Sequence, residues 1–168
     1  MRRYFDENGS EYTPKLSNDR AVILTAGGVL KETNLTLSVY SKQLDKEKVS
    51  NLLGLTPTKA WNPFERHPYG GPHNKKTRIL DWGKWYYSTE TNVESLDAKI
   101  EKLFALCTPN LEIWQRLSEE YQTWLTIVGH LDNWNREANL SRKTLKWIAD
   151  RSLDLTFDIY FDAEDDED

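Results

Sequence analysis

Apolar and polar residues alternate most regularly near the end of the chain. There the apolar positions are Leu153, Leu155, Phe157, Ile159 and Phe161, and the positions between them are Asp154, Thr156, Asp158 and Tyr160. A period of two predicts a β-strand with one face in the core and the other face in water. Similar patterns predict earlier strands over residues 35–40 and 124–131, and a concentration of aromatic residues predicts another over 82–88.

Four helices are predicted between these strands, because apolar residues recur at helical spacing behind residues that cap helices. Asp45 and Ser141 can each accept hydrogen bonds from the first free N–H groups of a helix. Gly54 can end the first helix in a left-handed conformation. The other two helices are predicted to begin at Thr91 and Thr108 and to form a helical hairpin.

The order strand, helix, strand, two helices, strand, helix, strand predicts the fold class. We expect an α+β domain with a single sheet of about four to five strands and helices packed on one face. The expected architecture is a ferredoxin-like sandwich with an inserted helical hairpin. The domain is predicted to span residues 21–161, with a short hairpin at Gly27 and Gly28. A polar lead over 1–20, extended or disordered, and an acidic tail over 162–168 flank it.

Three stretches of the chain resemble the bacterial family catalogued as domain of unknown function 4279. They are LTLSVYSKQLDKEKVSNLLGLTPTKAW (35–61), WGKWYYST (82–89) and LSRKTLKWIADRSLDLTFDIY (140–160). In the last stretch a serine-capped helix leads straight into an alternating strand that finishes Asp-Ile-Tyr. The resemblance covers about three quarters of the chain and implies a bacterial α+β domain. It supplies no catalytic residue, and the lead, the 62–79 loop and the tail depart from the shared pattern.

Charge is distributed unevenly along the chain. The formal net charge of −5 combines +5 over residues 1–80 with −10 over residues 81–168. The tail 162–168 contains six acidic residues and no base. A surface of this sign attracts a basic protein and disfavours nucleic acid and anionic membranes. We therefore expect a basic partner for the second half of the chain.

The N-terminal segment and the single cysteine bear on location and redox chemistry. The start MRRYFDENGSEY is polar, and no window of the chain approaches the length of an apolar membrane helix. We therefore expect a cytoplasmic protein. Cys107 is the only cysteine and follows apolar residues at helical spacing, so we expect it to be a buried packing residue.

The 62–79 loop combines cations with aromatic residues and is long for a compact domain. Such a mixture can clamp an anion or stack a base. An alternative function is therefore a nucleotide- or anion-binding module, or an unrecognised enzyme, that uses this loop. The candidate anion-binding residues are Trp61, Arg66, His67, His73, Lys75, Lys76, Arg78 and Trp82.

No catalytic residue, metal ligand or cofactor site is predicted. The chain contains no P-loop, nucleophile elbow, zinc-protease helix, dinucleotide fingerprint or EF-hand loop. His67 and His73 lack the spacing and partner ligands of a zinc site. His130 and Asp132 lie two residues apart on a predicted strand, where we expect a surface hydrogen bond without a nucleophile to activate.

A non-enzymatic protein-binding module is the function that these features favour. We expect an immunity protein or inhibitor whose acidic residues cover the phosphate-binding cleft of a basic partner, such as a bacterial nuclease toxin. A solubilising role explains the tail equally well. The candidate partner-binding residues are Asp132, Trp134, Glu137, Asp154, Asp158, Tyr160, Asp162, Glu164, Asp165 and Asp166.

Overall fold

A computed structural model describes residues 4–5, 11–12, 30, 32–69, 76–92, 94–131 and 136–161. In the polar lead, strand β1 (Tyr4–Phe5) pairs antiparallel with β2 (Glu11–Tyr12). The lead that we expect to be extended or disordered therefore includes a short strand pair. The hairpin predicted at Gly27 and Gly28 and the acidic tail lie outside the described residues.

The rest of the described chain forms a five-stranded mixed sheet, a separate two-stranded hairpin and four helices. In chain order the elements are β3 (Thr33–Ser41), α1 (Lys46–Leu53), β4 (Lys59–Trp61), β5 (Arg66–Tyr69), β6 (Lys76–Ile79), β7 (Gly83–Ser88), α2 (Leu96–Ala105), α3 (Leu111–Glu120), β8 (Gln122–Leu131), α4 (Arg142–Asp150) and β9 (Asp154–Phe161). The sheet has the order β4-β7-β3-β8-β9. The predicted α+β class is confirmed. None of the described helices is long and apolar enough to cross a membrane.

The two ends of the sheet are connected differently. Strand β7 is antiparallel to both β3 and β4, so β3 and β4 are parallel with β7 between them. This is the split βαβ arrangement of a ferredoxin-like sandwich. At the other end β8 and β9 are direct parallel neighbours, joined through α4. Strands β7 and β8 form a second split unit around β3, because both are antiparallel to it, so β4-β7-β3-β8 has the strand order of a ferredoxin-like sandwich. Strand β9 extends this sheet as a fifth strand beside β8.

The helices cover one face of the sheet and form the core with it. The fully buried strand residues on this face are Leu35, Leu37, Val39, Trp85, Leu125 and Ile127. Residues from all four helices join the same cluster, among them Val49, Ile100, Trp114 and Ile148. Burying one such side chain stabilises the fold by about 1.5–3 kcal/mol. Cys107 also belongs to this cluster, which confirms its predicted burial.

Capping residues define the helix ends. Asp45 accepts hydrogen bonds from the backbone of Glu47 and Lys48, each at 3.0 Å, and Gly54 ends α1 with φ +67°. Ser141 accepts from the Thr144 N–H at 3.2 Å and begins α4. These predicted caps are confirmed, because each depends only on residues within one turn of the helix end.

Helices α2 and α3 begin later than the sequence predicts. Their N-caps are Ser95 and Asn110, whereas the predicted starts were Thr91 and Thr108. The reason for the first difference is tertiary. Asn92 forms a β-bridge with Thr33, and this pairing keeps the backbone around it extended.

The 62–79 segment is not a loop throughout. Strands β5 and β6 within it pair antiparallel, and the Phe64 N–H donates to the carbonyl of Leu80 at 2.7 Å. Both oxygens of Glu65 accept from Lys46 Nζ at 2.9–3.0 Å, which joins the start of this segment to α1. The predicted loop is therefore a hairpin attached to the main domain.

Strand β9 occupies one edge of the sheet, and its apolar face is only partly covered. Leu153 and Leu155 contact the core, as predicted. Phe157, Ile159 and Phe161 are 45%, 40% and 59% exposed, so the prediction that they are core residues is wrong. An edge strand has a neighbour on one side only, and α4 ends just before β9 begins. The core therefore reaches only the first part of the strand.

Candidate functional site

The sheet face opposite the helices carries polar and aromatic side chains, and we call it the open face. Its members follow from the register of the strands, because alternate residues of paired strands share a face. On the four longest strands they are Asn34, Thr36, Ser38, Tyr40, Lys84, Tyr86, Ser88, Gln122, Trp124, Thr126, Val128, His130, Asp154, Thr156, Asp158 and Tyr160. Every helix described above buries its apolar side chains against the other face.

Four aromatic rings form a row across the open face. The ring centroids of Trp61 and Trp82 are 5.8 Å apart, those of Trp82 and Tyr40 are 5.8 Å apart, and those of Tyr40 and Trp124 are 5.0 Å apart. The angles between successive ring planes are 52°, 44° and 77°. Lys84 Nζ lies 4.9 Å above the ring of Tyr40. Successive rings of this aromatic row are therefore inclined to each other, and the ammonium group of Lys84 already lies over one of them.

A pocket of about 560 Å³ opens where the aromatic row meets the end of α3. We call it the aromatic–acidic pocket, because aromatic rings and two carboxylates line it, together with small polar groups and one lysine. The lining residues are Tyr40, Ser41, Lys42, Trp82, Ser118, Glu119, Glu120, Tyr121, Gln122 and Trp124. A shallower groove of about 240 Å³ continues from it and is lined by Ser38, Tyr40, Trp124, Thr126 and Thr156.

Ion pairs fix two of the charged groups around this pocket. Lys48 bonds to the carboxylate of Glu120, and this bond lowers the pKa of Glu120 and raises that of Lys48. Lys42 pairs with Asp81 at 3.0 Å, which lowers the pKa of Asp81. In the described part of the chain, Glu119 makes no ion pair. Of the two glutamates that line the pocket, Glu120 is therefore held by Lys48, and Glu119 has no ion-pair partner among the described residues.

The second feature of the open face is an acidic edge, formed by Asp154, Asp158 and Tyr160 of β9. The Tyr160 hydroxyl donates to Asp158 Oδ2 at 2.9 Å, and the carboxylate raises the pKa of Tyr160. The ring of His130 stacks on that of Tyr160, with centroids 5.4 Å apart. Among the described residues, neither Asp154 nor Asp158 forms a salt bridge. These carboxylates face solvent beside an aromatic ring.

The structure locates some of the predicted partner-binding residues and not others. Asp154, Asp158 and Tyr160 share the acidic edge, as the alternation predicts. Glu137 is half-buried, and its carbonyl accepts from the Leu30 N–H at 2.9 Å. The remaining candidates lie outside the described residues, namely Asp132, Trp134, Asp162, Glu164, Asp165 and Asp166.

The predicted anion-binding residues are divided between two places. Trp61 is buried and Trp82 is half-buried, and both belong to the aromatic row. Arg66, Lys76 and Arg78 are exposed on the β5–β6 hairpin. The backbone of His67 pairs with that of Arg78 in the same hairpin, but its side chain lies outside the described part, as do His73 and Lys75.

Sequence reasoning missed Tyr40 and Trp124, the two residues that connect the pocket with the groove. Alternation places each on the polar face of its strand, so the signal was present. What the sequence did not give is the pairing, which sets Ser38 opposite Trp124 and Tyr40 opposite Gln122. Only this register brings the two rings to 5.0 Å.

The described residues contain no group of three or more His, Cys, Asp or Glu that could hold a metal ion. Burial raises the pKa of Cys107 to about 11, with Arg151 acting weakly in the opposite direction. A thiol with this pKa is protonated at neutral pH and is a poor nucleophile. The candidate binding features are the aromatic row, the pocket, the acidic edge and the exposed cations of the β5–β6 hairpin.

Comparison with known proteins gives a family. The profile of the family described as "Domain of unknown function (DUF4279)" matches residues 31–162. The chain belongs to this family. This confirms the resemblance inferred from the sequence, and it places β3 to β9 inside the DUF4279 domain. No curated protein and no solved structure matches the chain.

Proposed function

We propose that this DUF4279 domain is a non-enzymatic protein-binding module that holds a basic protein against strand β9. In its most concrete form it is an immunity protein or inhibitor, and its partner is a bacterial nuclease toxin. The observation that carries the proposal is the position of β9. An eight-residue strand at the edge of the sheet exposes carboxylates on one face and large apolar side chains on the other.

Strand β9 has the composition of a protein-docking site. Protein interfaces combine apolar anchors, which become fully desolvated, with a polar rim. Phe157, Ile159 and Phe161 supply exposed apolar area, and Tyr160 is an aromatic anchor of the type enriched in interface hot spots. Free N–H and C=O groups of an edge strand also give a partner a backbone to pair with.

The negative charge on and after β9 favours a basic protein as the partner. Asp154 and Asp158 face solvent on β9, and the acidic sequence 162–168 follows directly. Nucleases hold nucleic acid through cationic side chains that contact phosphates. A strand with carboxylates can occupy such a cleft, and opposite charges accelerate the encounter at low salt. These features support a basic, phosphate-binding protein as the partner.

The test uses the protein encoded by the adjacent reading frame, because toxins and their inhibitors are made together. Binding is measured by calorimetry at two salt concentrations, and growth of cells that express the neighbour is measured with and without this chain. We expect tight, salt-sensitive binding and rescue of growth. The double variant Asp154→Asn/Asp158→Asn is expected to weaken binding at least about tenfold.

A charge-matched control separates a local effect from net charge. Glu90→Gln/Glu112→Gln removes two exposed carboxylates away from β9 and is expected to bind as the unmodified chain does. Absence of binding and of rescue would overturn the proposal. Equal losses in the two double variants would overturn the assignment of β9 as the docking strand.

The basic hairpin supports a second candidate function, a nucleotide- or anion-binding module. Arg66, Lys76 and Arg78 are exposed, and Lys76 and Arg78 share one face of the hairpin, where both can contact one anionic ligand. Arg66 belongs to the other face. If the hairpin binds such a ligand, mononucleotides or oligonucleotides added at low salt raise the melting temperature, and Lys76→Gln/Arg78→Gln removes the effect. An unchanged melting temperature would eliminate this candidate.

A further inference from the structure

We propose that the aromatic–acidic pocket receives an arginine side chain of the basic partner. This inference rests on the proposed function and deepens it, because it names the chemical group that the domain recognises. Four observations carry it: the inclination of the rings, the charge of the rim, the end of α3 and the connection of the pocket to β9.

The inclination of the rings favours a small planar guest over a stack of bases. Tyr40 and Trp124 meet at 77°, and Tyr40 and Trp82 at 44°. A run of bases needs ring faces that lie nearly in one plane, whereas these inclined rings offer single faces, each large enough for one small planar group. The negative faces of aromatic rings attract cations. The fold already uses this attraction, since Lys48 Nζ lies 5.9 Å from the ring centroid of Tyr121, which lines the pocket.

The charge of the rim favours a cation over an anion. Glu119 and Glu120 line the pocket, and the single lysine of the lining, Lys42, is paired with Asp81. Glu120 is paired with Lys48, which leaves the carboxylate of Glu119 for a guest. A guanidinium offers a planar fork of donors that a carboxylate accepts in pairs, and its flat surface stacks on aromatic rings. Arginine therefore fits this lining better than lysine does.

Helix α3 ends at the pocket and adds to the attraction. Its last residue is Glu120, and the next residue, Tyr121, caps it and lines the pocket. Carbonyl groups at a helix C-terminus carry partial negative charge, which favours a cation within the last turn. Glu119 and the end of α3 therefore both attract a cationic side chain into the pocket.

The shallow groove connects the pocket with the proposed docking strand. It shares Tyr40 and Trp124 with the pocket and reaches Thr156, which lies between Asp154 and Asp158 on β9. From β9 across β8 to β3 the distance is two strand spacings, about 10 Å. Three extended residues span this distance. A partner segment that contacts β9 can therefore place an arginine in the pocket.

The test uses a short Gly/Ser peptide with two arginines, and the same peptide with citrulline in place of arginine. Citrulline keeps the shape of the side chain and removes its charge. Binding is followed by the indole N–H signals in nitrogen–proton NMR spectra. We expect the arginine peptide to shift the signals of Trp82 and Trp124, and to leave those of Trp85 and Trp114, which are fully buried in the core.

Two variants of one helix provide the structural control. Glu119→Gln is expected to weaken peptide binding about three- to fivefold, the effect of losing one exposed charge contact. Glu112→Gln removes the same charge two turns earlier on α3, about 10 Å away, and is expected to change nothing. Glu119 and Glu112 are both exposed, so neither variant is expected to disturb folding.

The outcomes separate this inference from the proposed function. Three results would each overturn the arginine assignment. The citrulline peptide binds as well as the arginine peptide, or the two variants have equal effects. Alternatively, only oligothymidylate or a neutral oligosaccharide shifts the signals of Trp82 and Trp124. Absence of any shift up to about 10 mM arginine peptide would do the same. Binding of the neighbouring protein that depends on Asp154 and Asp158 would then still support the proposed function, whereas its absence overturns that function.

Discussion

Replacing Gly83 with alanine tests how closely strand β4 and the segment before α1 pack against β7. A Cβ atom at Gly83 would lie 2.7 Å from the Cβ of Leu44 and 2.8 Å from the backbone oxygen of Trp61. Carbon atoms in ordinary contact are about 3.5–4.0 Å apart. The added methyl group therefore overlaps atoms on two sides, and one of them belongs to the backbone of β4. Rotation of a side chain cannot relieve that contact.

The expected loss of unfolding free energy is about 1–3 kcal/mol, the usual cost of overpacking. Alanine offsets up to about 1 kcal/mol of this, because glycine has the larger backbone entropy in the unfolded chain. Taken from the middle of that range, about 2 kcal/mol, this leaves an expected net loss of about 1–2 kcal/mol. In a chain of this size that corresponds to a melting temperature lower by roughly 2–8 °C. Equilibrium unfolding in urea, followed by circular dichroism, measures the free energy directly.

Gly129→Ala is the matched control on another strand. Its Cβ would lie 2.6 Å from Leu30 Cδ2 and 3.3 Å from Ile159 Cδ1, which are both tips of side chains. These tips can rotate away, so we expect a loss of less than about 1 kcal/mol. The reasoning is refuted if Gly83→Ala is as stable as the unmodified chain, or if Gly129→Ala is the more damaging of the two.

Three further predictions concern capping, acid stability and thiol reactivity. Asp45→Ala removes both hydrogen bonds that start α1, and we expect urea titration to show a loss of about 1 kcal/mol. Burial favours the neutral form of Asp97, but hydrogen bonds from Thr144 and Ser141 outweigh it and lower its pKa. The ionised Asp97 side chain therefore stabilises the folded state fully at pH values above the pKa of an unfolded aspartate. This contribution is lost as pH falls through the lower pKa of Asp97 in the folded state. Asp97→Asn should accordingly make the fall of the urea midpoint between about pH 5 and pH 3 shallower. The Cys107 thiol, with its pKa raised to about 11 by burial, should react with an aromatic disulfide at pH 8 many times faster in urea than in the folded protein.

Features that depend on neighbouring residues could be predicted from the sequence. The caps at Asp45 and Ser141 need only the backbone one turn away, and both predictions are confirmed. The start predicted at Thr91 is wrong, because Asn92 pairs with Thr33, a residue far away in the sequence. Local rules cannot include such a pairing until the sheet itself is known.

Buried polar groups show the same division between local and tertiary information. Lys99 lies on the core side of α2, where its ammonium donates to the carbonyl of Asn92 at 2.7 Å and to Thr33. Burial lowers the pKa of this lysine. Helical spacing alone places Lys99 beside Ile100 without indicating that its charge is buried. The acceptors come from other elements, so no pattern along α2 predicts them.

The candidate site was partly visible in the sequence. Alternation correctly placed Asp154, Asp158 and Tyr160 on a solvent-facing side of the last strand. It could not reveal that β9 is an edge strand, since residue order does not fix strand order. Trp61 and Trp82 were identified as candidates beside a basic segment. Their row with Tyr40 and Trp124 appears only once β3 lies between β7 and β8.

The parallel pairing of β8 and β9 has a consequence for partial unfolding. If α4 and β9 detach from the rest of the domain, β8 becomes an edge of the sheet. The ten residues of β8 include no Asp, Glu, Lys or Arg, and an uncharged edge strand pairs readily with other chains. In the folded domain β9 covers that strand, and the carboxylates of Asp154 and Asp158 lie at the margin instead. Self-association through β8 is therefore expected in states that have lost β9.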